Sequence, residues 1–189
     1  MAGMSAAPSA DAAPGATWEW TPGDGALPAG TRFVEGDMAA LAATRSPDAL
    51  VVRPTRPVLF VAGTPAGDVE VEATLDLARF TGMVMLVHHV RSLQDYDFLA
   101  VDKPAAGPPT VRQGRVTGGQ TTVFADKTMP LAEPVELTAV AAGGHFRGLV
   151  AGELATHGHG PAAEPGSVGL RIAGTGPVGI RRLAATAVE

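Results

Sequence analysis

Histidines and closely spaced carboxylates carry most of the chemistry available to this chain. Glu70 and Glu72 stand two apart in Asp68-Val-Glu-Val-Glu-Ala-Thr-Leu-Asp76. Residues two apart on an extended strand share a face and lie about 7 Å from each other. Retaining glycosidases place their carboxyls ~5–5.5 Å apart and inverting ones ~6.5–9.5 Å, so this spacing permits acid/base work. Glu70 and Glu72 are thus candidates for acid/base work, against the plainer reading of a solvated outer face.

His88 and His89 are consecutive. On a strand they point to opposite faces, so only one reaches a given site unless a bulge intervenes. A histidine in a groove serves as a general base near neutral pH, which makes both catalytic candidates. The bland alternative is a hydrogen-bonded pair at a strand end. His157-Gly-His159 could share one face and join His145 in a three-histidine metal site. The Gly/Pro-rich segment from Thr156 to Pro165 reads instead as a surface loop, and no metal site is assigned. Asp95, Asp97 and Asp102 supply oxygen ligands of the kind a structural calcium takes. No other cofactor is expected. Tyr96, the single tyrosine, either touches a ligand or caps the core.

The elements that must position these groups are strands. Val69, Val71, Ala73 and Leu75 alternate with Glu70, Glu72, Thr74 and Asp76, the period of a half-buried strand. Met83 to Val87 is apolar at every position, which suits a central strand. Gly118-Gly119 joins the segments Thr110–Val116 and Gln120–Ala125 as a hairpin, and Ala142-Gly143-Gly144 joins Glu136–Ala141 to His145–Ala151. Asp37 to Ala43, with Asp37 as cap, is the one helical window. Eleven or twelve strands with almost no helix to make crossovers predict an all-β, two-sheet antiparallel sandwich. The expected organisation is a flexible Ala/Pro-rich tail over 1–16 and one sandwich domain over 17–189.

Composition excludes several functions. A net charge of -5 with only two lysines, Lys103 and Lys127, argues against nucleic acid. The absence of cysteine removes disulfides and thiolate chemistry. No apolar stretch approaches the ~20 residues of a membrane span. The first sixteen residues lack the features of a secretory signal, so a cytoplasmic location is expected. Gly174-Thr-Gly176-Pro-Val-Gly179 matches a dinucleotide fingerprint by letter, but strand rather than helix follows it, so it reads as a β-turn. Oligomeric state is not legible.

Several motifs add a resemblance. They are Phe80-Thr-Gly82-Met-Val-Met85, Asp95-Tyr96-Asp-Phe98-Leu99, Gly143-Gly-His-Phe-Arg147, Gly152-Glu-Leu154 and Gly166-Ser-Val-Gly-Leu-Arg171. Through them the stretch from Gly67 to Val188 resembles the concanavalin A-like lectin/glucanase jelly rolls, in particular the bacterial 3-keto-disaccharide hydrolase domain, which is similar to family 16 glycoside hydrolases. The resemblance implies a jelly-roll sandwich with a carbohydrate groove on its concave sheet. It also implies a glycoside hydrolase- or lyase-like enzyme working by acid/base chemistry. Glu72, His88 and His89 would then be catalytic, with Glu70, Tyr96, Arg147 and Arg171 on the substrate. The chain carries Leu86 where the family often has arginine, and its aromatic content is only 5%. Both favour the alternative, a lectin-like or small-molecule-binding module that has lost the catalytic site. A more apolar ligand would suit the Met83–Val87 run if part of it faces the cleft.

Overall fold

The computed structural model describes residues 17–23 and 25–188, so the expected tail over 1–16 lies outside the described residues. The chain begins with strand β1 (Thr17–Trp20), β2 (Arg32–Glu35), the short helix α1 (Met38–Leu41), β3 (Thr44–Arg45) and β4 (Leu50–Val52). Longer strands follow: β5 (Val58–Ala66), β6 (Val69–Asp76), β7 (Thr81–Ser92), β8 (Asp95–Lys103), β9 (Thr110–Thr117) and β10 (Gln120–Thr128). The chain closes with β11 (Val135–Ala142), β12 (His145–Val150), β13 (Glu153–His159), β14 (Gly166–Thr175) and β15 (Val178–Ala187). Sheet A runs β13-β12-β11-β6-β15-β4-β3, with β1 also paired to β15. Sheet B runs β10-β9-β8-β7-β14-β5-β2. All pairings are antiparallel among the described residues, so the predicted two-sheet sandwich is the observed one. No helix of the described residues is long and apolar enough to cross a membrane.

Strand β6 keeps the alternation its sequence predicts, with Val69, Val71, Ala73 and Leu75 buried and the four polar residues between them half-buried. The buried set meets Phe60, Leu86, Leu99 and Leu170 of sheet B in the core between the sheets. A second apolar cluster covers the outer face of sheet B and includes Leu59, Val61, Met85, Val87, Phe98 and Ala100. Strand β7 therefore has no polar face along most of its length, which is why Met83 to Val87 shows no period of two. Gly118 and Gly119 both take positive φ in the β9–β10 turn, as a two-residue hairpin with this twist requires. The turn between β14 and β15 crosses from one sheet to the other and is followed by strand, as the Gly174–Gly179 reading requires.

Helix α1 shows how a single side chain starts an element. The Asp37 carboxylate accepts from the Ala40 amide at 2.9 Å and from Arg56 at 2.5 Å. Helix starts leave amides without partners, and this cap satisfies one of them. Asp37→Ala is expected to lower the unfolding free energy by about 1 kcal/mol in urea titrations, while Asp37→Asn keeps most of it. Equal losses in the two variants would assign the effect to the Arg56 ion pair instead.

Candidate functional site

The polar residues of the sandwich interior collect at one end of sheet B. On β8, Leu99 and Val101 point into the core, and Asp97 shares their phase. On β9, Arg115 is in phase with the core residues Val111 and Gln113, directly across the ladder from Asp97. His88 continues the core phase of Val84 and Leu86 on β7 and pairs with Asp97 from the other side. An imidazole, a carboxylate and a guanidinium thus form one cross-strand row where the apolar core stops.

His89 joins this row through a backbone irregularity. The β7–β8 register shifts between His88 and Ser92, and His89 takes φ 51. Non-glycine residues seldom occupy this left-handed region, and here it marks a bulge. Gly166 of the adjoining strand makes room, since a Cβ there would lie 2.3 Å from the His89 carbonyl carbon. The expectation that the two histidines point apart is corrected by this bulge: their Nδ1 atoms are 2.8 Å apart. His89 Nε2 lies 2.8 Å from the Gly67 carbonyl, which can only accept, so this nitrogen carries a hydrogen. His89 Nδ1 is also 3.3 Å from Asp97 Oδ2.

Arg115 completes the charge arrangement. Its Nε and Nη2 donate to the two Asp97 oxygens at 2.5 and 3.0 Å, and Nη1 donates to the Pro161 carbonyl at 2.9 Å. The guanidinium also lies over the rings of Phe146 and Phe124, 5.3 and 5.8 Å from their centroids. Burial alone would raise the Asp97 pKa, but hydrogen bonds from His89 and Arg115 outweigh it and hold the carboxyl well below the usual range. Burial, followed by the neighbouring His89 and only partly offset by Asp97, lowers His88 to about 3. His88 is therefore neutral throughout the physiological range, and its Nε2 has no hydrogen-bond partner among the described residues. The Gln113 amide nitrogen likewise has no partner among the described residues, while its oxygen accepts from Thr156 at 3.1 Å.

Over this corner opens a cleft of ≈ 160 Å³. His89, Asp97 and Arg115 line it from below, Tyr96, Arg91 and Thr117 from the strand ends, and Glu164 from the β13–β14 connection. Pockets that bury a drug-sized ligand hold ~300–1,000 Å³, so this one suits a single small unit or the end of a chain. Burial, chiefly, raises the Tyr96 hydroxyl pKa. Tyr96 belongs to the outer-face cluster of sheet B, and the charges of Arg171 and Glu35 reach it across that face.

Solved structures sharing this fold are distant in sequence. A carbohydrate-binding module, CBM66, from Bacillus subtilis superposes with a TM-score of 0.68 at 15% identity, over 84% of this chain and 96% of that one. A Bacillus licheniformis β-glucanase gives 0.64 at 11% identity over 91% and 98%. A galectin-like protein of unknown function from Bacillus subtilis gives 0.65 at 13% over 83% and 89%. The fold is the concanavalin A-like jelly roll. No protein-family model and no curated protein matches the sequence.

The jelly roll separates several residues that the sequence analysis grouped. Glu70 and Glu72 lie on the outer face of sheet A, where Glu72 accepts from Arg182 at 3.0 Å. That face is across the sandwich from the His88–His89 corner, so the acids and the histidines do not form one site. Arg147 is also on sheet A, opposite His157, whereas Arg171 is on sheet B and donates to Glu35 at 2.8 Å. Of the seven site candidates, the structure brings His88, His89 and Tyr96 to one corner. The calcium trio is dispersed. Asp97 is engaged by Arg115, Asp95 meets Ser92 and the Gly118 amide at the rim, and Asp102 pairs with Arg112 at 3.3 Å on the opposite face. A second correction concerns His157 and His159, which lie on strand β13 and not in a loop. Arg115, Arg91 and Glu164 were missed as site residues. One signal for Arg115 was present: a charged residue in phase with Val111 and Gln113 needs a buried partner.

Among the described residues two groups have the donors for a metal ion: His88 with His89 and Asp97, and His145 with His157 and His159. In the buried group Arg115 already supplies the cation for Asp97. A dication beside a guanidinium in a low-dielectric interior is disfavoured.

Proposed function

We propose that the protein binds a carbohydrate end-group in the cleft over His89, Tyr96, Asp97 and Arg115, without cleaving it. The observation that carries this reading is the commitment of the acids on that side of the jelly roll. In the cleft Asp97 is tied to Arg115, and on the outer face of the same sheet Glu35 is tied to Arg171 and Asp102 to Arg112. General acid/base glycosidases need two carboxyls flanking the bond. The cleft offers only Glu164 outside an ion pair among the described residues. Donors suited to sugar hydroxyls are plentiful there: the Arg91 and Arg115 guanidiniums and the Tyr96 and Thr117 hydroxyls. The structural neighbours that are a carbohydrate-binding module and a β-glucanase support a sugar ligand for this fold. A second reading, hydrolase- or lyase-like chemistry, draws its support from the His89–Asp97 contact at the cleft floor with Glu164 on its wall.

The test is a glycan-binding panel run beside incubation with glycosides and 3-keto-glycosides. Saturable binding with no released sugar is expected. Arg91→Ala and Tyr96→Phe should each weaken binding about 10-fold, the effect of losing one hydrogen bond of ~1.5 kcal/mol. Sugar release would establish the hydrolytic reading. No binding and no turnover would leave the Met83, Met85 and Val87 side of sheet B as the place to look for a more apolar ligand.

A further inference from the structure

Three of the five histidines stand together on the outer face of sheet A, on its edge strands β12 and β13. His157 and His159 are two apart on β13, so both side chains leave the same face. His145 of β12 is the direct cross-strand partner of His159. The three rings pack in sequence, with centroids 4.7 Å apart for His145–His159 and 4.7 Å for His157–His159. A ring nitrogen from each lies within 4.8 Å of the others, and all three residues are exposed. We propose that this triad is a binding site for a divalent late transition-metal ion, zinc or its imidazole-preferring neighbours nickel and copper.

Coordination geometry supports the assignment. Zn–N bonds of ~2.0–2.1 Å in a tetrahedron place the ligand nitrogens ~3.3 Å apart. The nitrogens need to close by only about 1.5 Å from their present limit, within the reach of small side-chain rotations at an exposed site. Three imidazole ligands without carboxylate or carbonyl oxygens select zinc, nickel or copper over calcium or magnesium. The fourth position faces solvent and is left for water or for a donor on a ligand.

The backbone beneath the triad is fixed, which reduces the ordering cost of coordination. The hairpin ladder continues past the His145–His159 pair, because the Gly160 amide donates to the Gly144 carbonyl at 3.0 Å. Gly158, between the two β13 histidines, faces inward against Phe124, where a Cβ would lie 2.5 Å from the Phe124 Cβ. Phe124 in turn stacks on Phe146, 4.8 Å between centroids. One nearby group opposes a cation: Arg147 stands across the ladder from His157. Its charge lowers affinity for a dication and gives the test a variant that acts in the opposite direction.

The experiment is a calorimetric titration of untagged protein with zinc chloride, repeated with nickel chloride. One equivalent is expected to bind. His157→Ala and His145→Ala should each weaken binding by more than the ~10–100-fold typical of losing an outer-shell partner. Arg147→Gln should tighten it several-fold. These residues are on the surface, so an unchanged melting temperature without metal confirms that the variants fold. Absence of saturable uptake overturns the proposal. So does uptake that survives His157→Ala, which would place the ion elsewhere, the buried His88–His89–Asp97 group being the first place to look.

Discussion

Asp97→Ala is expected to lower the unfolding free energy by ~3–5 kcal/mol, the cost of removing one partner from a buried ion pair. Only 2% of the Asp97 side chain is exposed, and the change leaves Arg115 and His89 facing one another without the anion between them. Asp76→Ala is the matched control. Its pair with Arg181 is about one-third exposed on each side, where such pairs contribute ~0–1 kcal/mol. Urea unfolding of both variants measures the difference. Asp97→Leu combined with Arg115→Met should recover a large part of the loss, because an apolar pair of similar volume needs no counter-charge. A loss below about 1 kcal/mol for Asp97→Ala would mean that water solvates the corner, contrary to the burial described.

Stability is also expected to fall steadily as pH drops from about 6.5 to 4, with His88 as a principal cause. The sign follows from linkage. In the unfolded chain this imidazole takes up a proton near pH 6.5, but in the fold it does so only at about 3. Between those values the unfolded state binds more protons, so each step down in pH favours it. One such group contributes at most ~1.4 kcal/mol per pH unit, or roughly 3 kcal/mol over the window. Asp97 works in the same direction but lower. Its depressed pKa supports the fold above the unfolded value of ~3.9 and is lost as pH falls below it. Urea midpoints of the wild type and His88→Gln between pH 4 and 7 therefore isolate the histidine. The three surface histidines are common to both proteins and cancel. An NMR titration gives the direct check: a His88 ring resonance that moved with a midpoint near 6.5 would sink this expectation.

What could be read from the sequence was local. The alternation of β6 and the glycine pairs of two hairpins depend on residues within a few positions of each other, and these elements were recovered. The candidate site depends on pairings between distant segments. His88 and His89 turn toward each other only because β14 brings Gly166 against the β7 bulge. No local rule predicts that contact. Likewise, Arg115 faces Asp97 through the β8–β9 register, which a six-residue connection does not fix in advance. The Gly-rich stretch around His157 read as a loop because glycine normally marks a turn. In the fold Gly158 is instead the space that Phe124 requires, and the strand continues past it. Glu70 and Glu72 were correctly placed together, but nothing near them in sequence says which sheet β6 joins.

Strand β7 has a consequence for how the chain reaches this state. From Gly82 to Val90 it carries no proline and no acidic or basic residue other than its two histidines, and it is rich in β-formers. Such a window, if exposed, pairs readily with copies of itself. In the finished fold both edges of β7 are taken, one by β8 and the other by β14. The β8 partner follows at once, but β14 is made only after β8 to β13 have been synthesised. During synthesis one edge of the stickiest strand thus waits for a partner, with Arg79 and Arg91 flanking it as charged guards against self-association.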